Sequence, residues 1–229
     1  AREPELRRYG TARRRRPRPG VPAGRPTMII DHRTLPRRRG RVLHEAILEA
    51  ALAELAEVGY ATLTMERVAA RSKASKASVY SRWPSRIELV MDVFYHLMPD
   101  PAAPPDTGTL RGDLLAAFRQ TAELLAGPAG EALRGLLGDV LPDPTRTAEM
   151  RRHSHQHSRR TLEVIISRAI ERGEISPAAV TPLRLEAGPA MLRYYFLFQG
   201  LPVPDAVIVG IVDDVIVPLL TDPRDGTRR

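Results

Sequence analysis

The sequence predicts an all-α chain, with a small N-terminal domain of three helices followed by a larger helical C-terminal domain. Three observations predict it. Apolar residues recur three and four positions apart along most of the chain. Glycine and proline fall mostly between those runs, often beside a helix-capping residue. No segment shows the sustained apolar–polar alternation of a half-buried strand.

Residues 1–36 are rich in arginine, proline and glycine (Arg13 to Arg16, then Pro17, Pro19, Gly20 and Pro22) and offer almost nothing apolar to bury, so a disordered basic arm is expected. Order is expected from about Arg38. The first helix carries Leu43, Ile47, Ala51, Leu55 and Val58 at helical spacing, and Gly59 stands where a C-cap belongs. Thr64 is placed to cap a short second helix over 65–71, with Glu66 suited to its positive end. After a tight link at Ser72 to Ala74, Ser75 caps a third helix over 76–83 that Pro84 ends. Ser85-Arg86-Ile87-Glu88 reads as a capping box opening a fourth helix through Leu89, Val90, Val93, Phe94 and Leu97. Beyond the proline-rich stretch at 99–108, helices are expected over 110–126, 131–141, 145–172, 182–199 and 205–220. The implied organisation is an arm at 1–36, a three-helix domain at 37–84 with a linking helix at 85–98, a C-terminal domain at 99–221 and a tail at 222–229.

Charge and composition narrow the function classes. The formal net charge is +8. Residues 1–41 hold fourteen arginines against three acids, which leaves 21 basic and 24 acidic residues for the rest of the 35 and 27. The basicity is therefore a property of the arm. Lys73 and Lys76 are the only lysines, an arginine habit that fits a GC-rich coding sequence and weakens any argument from net charge alone. Zero cysteines exclude disulfides, thiolate catalysis and cysteine metal sites, and suit a reducing interior, so a cytoplasmic location is expected. The arm has no apolar signal-peptide core, and the best membrane candidate, 206–220, is short and interrupted by Asp213 and Asp214. No membrane association is expected.

Two short helices joined by a tight link, with longer helices before and after, form a helix-turn-helix, in which one helix braces across DNA and the next enters the major groove. The third helix has the side chains for that role. Ala77 and Ser78 are small enough for close approach; Ser75, Lys76, Tyr80, Ser81 and Arg82 offer donors to phosphates or base edges; Val79 and Trp83 anchor the opposite face. The run Gly59-Tyr60-Ala61-Thr62-Leu63-Thr64, the segment Ser75 to Tyr80 and the step Trp83-Pro84-Ser85-Arg86 together resemble the N-terminal domain of the TetR (tetracycline-repressor-like) family over about residues 38–97. The resemblance implies that Ser75, Lys76, Ala77, Ser78, Tyr80, Ser81 and Arg82 lie at double-stranded DNA, with Tyr80 on phosphate, and that Thr64 and Arg86 clamp the backbone. The family's turn commonly has glycine where this chain has Lys73, and a lysine at positive φ costs about 1 kcal/mol relative to glycine, so either the turn is locally different or Lys73 carries the strain and reaches a phosphate. Arg39 and Arg41, just ahead of the first helix, are further DNA candidates, placed to reach phosphates or the adjacent minor groove, the alternative being a solvated tail whose arginines reflect codon usage.

The helices expected at 182–199 and 205–220 are apolar on several faces, as expected of elements packed both within a domain and against a second subunit. The resemblance implies a homodimer formed through them. It also implies a cavity for a small-molecule effector, left unidentified by the sequence; Phe94, Leu114, Phe118, Leu137, Ile165 and Tyr194 are its candidate lining and would equally fill a core. His153-Ser154-His155-Gln156-His157 places only His153 and His157 on one helix face with no clear third ligand, so a solvated face is expected, with no metal and no cofactor. No catalytic motif is present. The expectation is a ligand-responsive repressor on a palindromic operator; the alternatives are a ligand-independent DNA-binding or architectural protein, and a helical enzyme or carrier.

Overall fold

A computed structural model describes residues 40–221. The expected arm at 1–36, Arg37 to Arg39 and the tail at 222–229 lie outside the described residues. Among the described residues there are helices and turns and no strand.

Helices α1 (Arg41–Thr62), α2 (Met65–Ser72), α3 (Lys76–Tyr80) and α4 (Arg86–Leu97) follow the expected order. Gly59, at φ 71° and ψ 173°, breaks the regular helix where its lack of a Cβ permits, and Tyr60 to Thr62 add one further turn. Thr64 accepts a hydrogen bond from the Arg67 N–H at 3.3 Å, and Ser75 accepts one from the Ser78 N–H at 3.1 Å. The third helix is shorter than the expected 76–83. It ends at Tyr80 because Pro84 disfavours helical geometry in the residue before it, while the Trp83 N–H still reaches the Val79 carbonyl at 3.0 Å. Ser85 caps α4 through the Ile87 N–H at 3.1 Å rather than through that of Glu88, and its hydroxyl meets the Glu88 carboxylate.

α5 (Leu110–Ala126) spans the expected residues. α6 (Pro128–Val140) starts earlier than 131: Pro128 reads as a breaker in the sequence, yet its fixed φ and missing N–H suit the first helical position. α7 (Pro144–Glu171) is capped by Asp143, which accepts from the Thr145 and Arg146 N–H groups at 2.9 and 3.2 Å. The two single helices expected at 182–199 and 205–220 are corrected. α8 (Pro182–Tyr194) runs into a π-helical turn, Tyr195–Gln199, and the last rod comprises α9 (Asp205–Gly210), a π-helical turn (Ile211–Ile216) and α10 (Val217–Thr221). Pro218 has no N–H for the carbonyl four residues back, and just ahead of it the Val217 N–H reaches five residues back to Val212.

These helices enclose two buried clusters. One joins Ile47, Ala51 and Leu55 of α1, Val68 of α2, Val79, Trp83 and Leu89, Val90 and Val93 of α4; α6 adds Ala132, Leu136 and Val140 to it. The other joins Leu114 and Phe118 of α5, Leu162, Ile165 and Ile166 of α7, Leu192, Phe196 and Ile208, Ile211, Val212 and Ile216 of the last rod, with Phe94 from α4. α4 and the α5–α6 pair thus tie the two clusters together. Two bidentate pairs register α5 against the last rod: Arg111 holds Asp213 at 2.7 and 2.8 Å, and Arg119 holds Asp205 at 2.6 and 2.9 Å. Both sets of partners are eight residues apart in opposite order, which makes the two rods antiparallel.

Candidate functional site

The head is locked from beneath. Glu54 of α1, 4% exposed, takes the Nε of Arg67 and of Arg71 at 2.6 Å each, which fixes α2 across α1. Burial raises the pKa of the Glu54 carboxyl, but the two guanidiniums outweigh it and hold it below the usual range. On α3, Val79 is fully buried, and just beyond the helix Trp83, 3% exposed, donates its indole N–H to Asp92 at 2.8 Å. The opposite side of the same segment faces solvent.

That exposed side carries Ser75, Lys76, Ala77, Tyr80, Ser81 and Arg82, with Ser78 half-buried among them. Ser75 and Ser78 hydroxyls meet at 2.9 Å, and the Ser78 carbonyl accepts from the Ser81 hydroxyl at 3.1 Å and Arg82 Nη1 at 2.8 Å. Lys73 has φ 55° and ψ 30°, the left-handed conformation that its place in the turn requires. Thr64 and Arg41 are exposed at the starts of α2 and α1, and Arg41 pairs with Glu45 at 3.4 Å. Arg39 lies outside the described residues.

Two partners of these side chains carried no motif. Glu66 of α2 accepts the Tyr80 hydroxyl at 3.2 Å and lies 3.7 Å from Lys76 Nζ, so it aligns both donors from the neighbouring helix. Arg86 donates to Asp139 of α6 at 2.9 Å and stacks over the Tyr60 ring at 4.6 Å, while the Tyr60 hydroxyl donates to the same Asp139 oxygen at 2.6 Å. Burial, then the bond to Asp139, pushes the Tyr60 phenol up to about 12. Asp139 is held below its usual range, first by Tyr60 and then by Arg86. The sequence signals none of this, because Asp139 lies 53 residues from Arg86.

Behind the head is a cavity of about 420 Å³ between α4, α5, α6, α7 and α8. Phe94, Phe118 and Leu137 line it. Leu114 and Ile165 are fully buried in the adjoining core and do not, and Tyr194 is 51% exposed away from it. The histidine segment is only partly a solvated face: His155 and His157 line the cavity, while His153 packs against Tyr95 with ring centroids 5.0 Å apart. Burial pushes the pKa of His157 down. Among the described residues no group of three or more metal-ligating side chains converges, and no helix is long and apolar enough to cross a membrane.

Residues 47–93 match the family model "Bacterial regulatory proteins, tetR family", and residues 104–215 match "Tetracyclin repressor-like, C-terminal domain". An uncharacterized HTH-type transcriptional regulator of Mycobacterium tuberculosis is 35% identical over 178 residues, covering 76% of this chain and 86% of that protein. The DNA-binding transcriptional repressor TetR of Mycobacteroides abscessus is 31% identical over 193 residues, covering 83% of this chain and 98% of the relative. The crystal structure of a TetR family transcription regulator superposes with a TM-score of 0.64 at 31% identity, covering 76% of this chain and 96% of that one. With an exposed helix-turn-helix on a buried base, a helical C-terminal region behind it and both family models matched, this chain belongs to the TetR family of transcriptional regulators.

Proposed function

We propose that the chain is a cytoplasmic, homodimeric repressor that binds a palindromic operator with one α3 per half-site and releases it when a small molecule fills the cavity. The observation that carries the reading is the two-ended role of α4. Its first residue, Arg86, is engaged with Asp139 beside the head, and its Phe94 forms part of the cavity wall. A guest that favours one arrangement of α4 over another would bias the separation of the two reading heads by population shift.

Ser75, Lys76, Ala77, Ser78, Tyr80, Ser81 and Arg82 form the contact face; Thr64, Lys73 and Arg86 flank it on the phosphates; Arg39 and Arg41 extend it along the adjacent groove. Dimerisation uses α8 and the last rod. The exposure of Leu183 (79%), Tyr194 (51%) and Phe198 (72%) on one chain supports this, since apolar side chains of that size are rarely left to solvent together.

The deciding experiment is selection of bound duplexes from random sequence by the full chain. An inverted repeat is expected, with half-sites about one helical turn apart. Binding that is uniform across the pool and lost with salt would overturn the operator reading. On the selected duplex, Lys76→Ala and Tyr80→Ala should each weaken binding at least tenfold and leave the dimer intact.

A further inference from the structure

The chemistry of the cavity wall is uneven. α7 contributes Thr147, Arg151, Ser154, Ser158 and Thr161, spaced alternately four and three residues apart and therefore on one helix face. Much of the remaining wall is apolar, including Phe94, Phe118, Leu125, Leu137, Leu192 and Phe196. A guest that satisfies both must have a polar head and an apolar body.

The sign of the head follows from the charges. Two guanidiniums, Arg151 and Arg193, join the lining against a single carboxylate, that of Asp100, which is exposed. Arg193 is the more desolvated: its side chain is 35% exposed, and burial holds its pKa below the usual arginine value despite Glu186 nearby. Its ion pair is loose. Glu186 Oε1 lies 3.4 Å from Arg193 Nη2 and 3.2 Å from His155 Nε2, so one carboxylate oxygen is divided between two partners, both beyond the roughly 2.7–2.9 Å of a strong charge-assisted bond. A planar guanidinium with donors to spare, at the edge of an apolar chamber, suits a bidentate oxyanion.

We propose that this cavity selects amphipathic monoanions, a carboxylate or comparable acid on an apolar body, with Arg193 pairing the head and the Phe and Leu wall holding the body. The inference rests on the reading of the cavity as the effector site, and it adds the ligand class to that reading. A cationic guest would face two guanidiniums, and a neutral one would leave the Arg193 charge no better compensated than before.

The test uses three probes with one body and three heads: 4-phenylbutyrate, 4-phenylbutan-1-ol and 4-phenylbutylammonium, titrated calorimetrically into the full chain at neutral pH. The acid is expected to bind at least tenfold more tightly than the alcohol, and the ammonium more weakly than either. Arg193→Met should reduce the affinity for the acid at least tenfold and change that for the alcohol less than threefold. Leu137→Trp, which fills the chamber, should weaken both. Equal binding of acid and alcohol, or an unchanged preference in Arg193→Met, overturns the anion assignment while leaving the cavity as a binding site. Binding of none of the three, or binding that Leu137→Trp does not touch, overturns the cavity reading itself and the ligand class with it.

Discussion

Lys73 holds φ 55° at the turn between α2 and α3, a conformation that costs an L-residue roughly 1 kcal/mol and glycine almost nothing. Lys73→Gly is expected to raise the thermal midpoint in calorimetry. If the same side chain reaches a phosphate in the complex, the slope of log K against log salt falls by about one. The two readouts separate backbone strain from binding. Glu54 makes the complementary case in the buried interior. Its pKa is lowered in the folded chain, so the stability it contributes is fully present above the ordinary glutamate range and is lost as pH falls through that range towards the depressed folded value. Glu54→Gln should cost about 2 kcal/mol at neutral pH, the scale of a hydrogen bond to a charged partner. Urea titrations across acid pH should show a correspondingly flatter acid limb. The pairing of Glu54 with Arg67 and Arg71 was not legible in sequence, because the partners lie thirteen and seventeen residues away and meet it only once α2 is folded across α1.

At the scale of elements, α6 decides more than its sequence suggests. Gly130, in its first turn, sits where an added Cβ would lie 2.0 Å from the Leu125 carbonyl oxygen, so the α5–α6 corner closes only around a glycine. Gly130→Ala is expected to destabilise the chain by about 3 kcal/mol in equilibrium unfolding, since backbone rather than a side-chain tip must move. The far end of α6 carries Asp139, where Tyr60 from the end of α1 and Arg86 from the start of α4 converge. Tyr60→Phe keeps the ring beneath Arg86 and removes only the hydroxyl, so a loss of about 1 kcal/mol is expected. Asp139→Asn should lower the thermal midpoint and shift operator affinity, because it frees Arg86. A reading in which Arg86 only binds phosphate predicts no change in the free protein's stability. Local signals did find the helix starts that caps announce, at Thr64, Ser75 and Ser85. They missed the early start of α6 and the π-helical turns, since Pro128 signals both a break and a first turn, and backbone pairing within a continuous apolar run leaves no mark on periodicity.

For the whole molecule, the exposed apolar side chains of α8 and the turn after it make oligomeric state the property to measure. Phe198→Glu should raise the dimer dissociation constant at least tenfold by sedimentation and weaken operator binding in parallel, while the monomer's own unfolding changes little because Phe198 is 72% exposed. A variant that stays dimeric at the same concentrations would move the interface elsewhere. The all-helical class, the order of the helices and the face of α3 that meets solvent were determined by the sequence itself, because periodicity, caps and small residues act over a few neighbouring positions. The tertiary structure decided which of Phe94, Leu114, Phe118, Leu137, Ile165 and Tyr194 face a cavity, how part of the histidine-bearing face of α7 came to line it, and how Arg86 found Asp139. Those outcomes depend on where helices distant in sequence come to lie, and hydrophobicity at helical spacing marks a residue as inward-facing without distinguishing a packed wall from an open one.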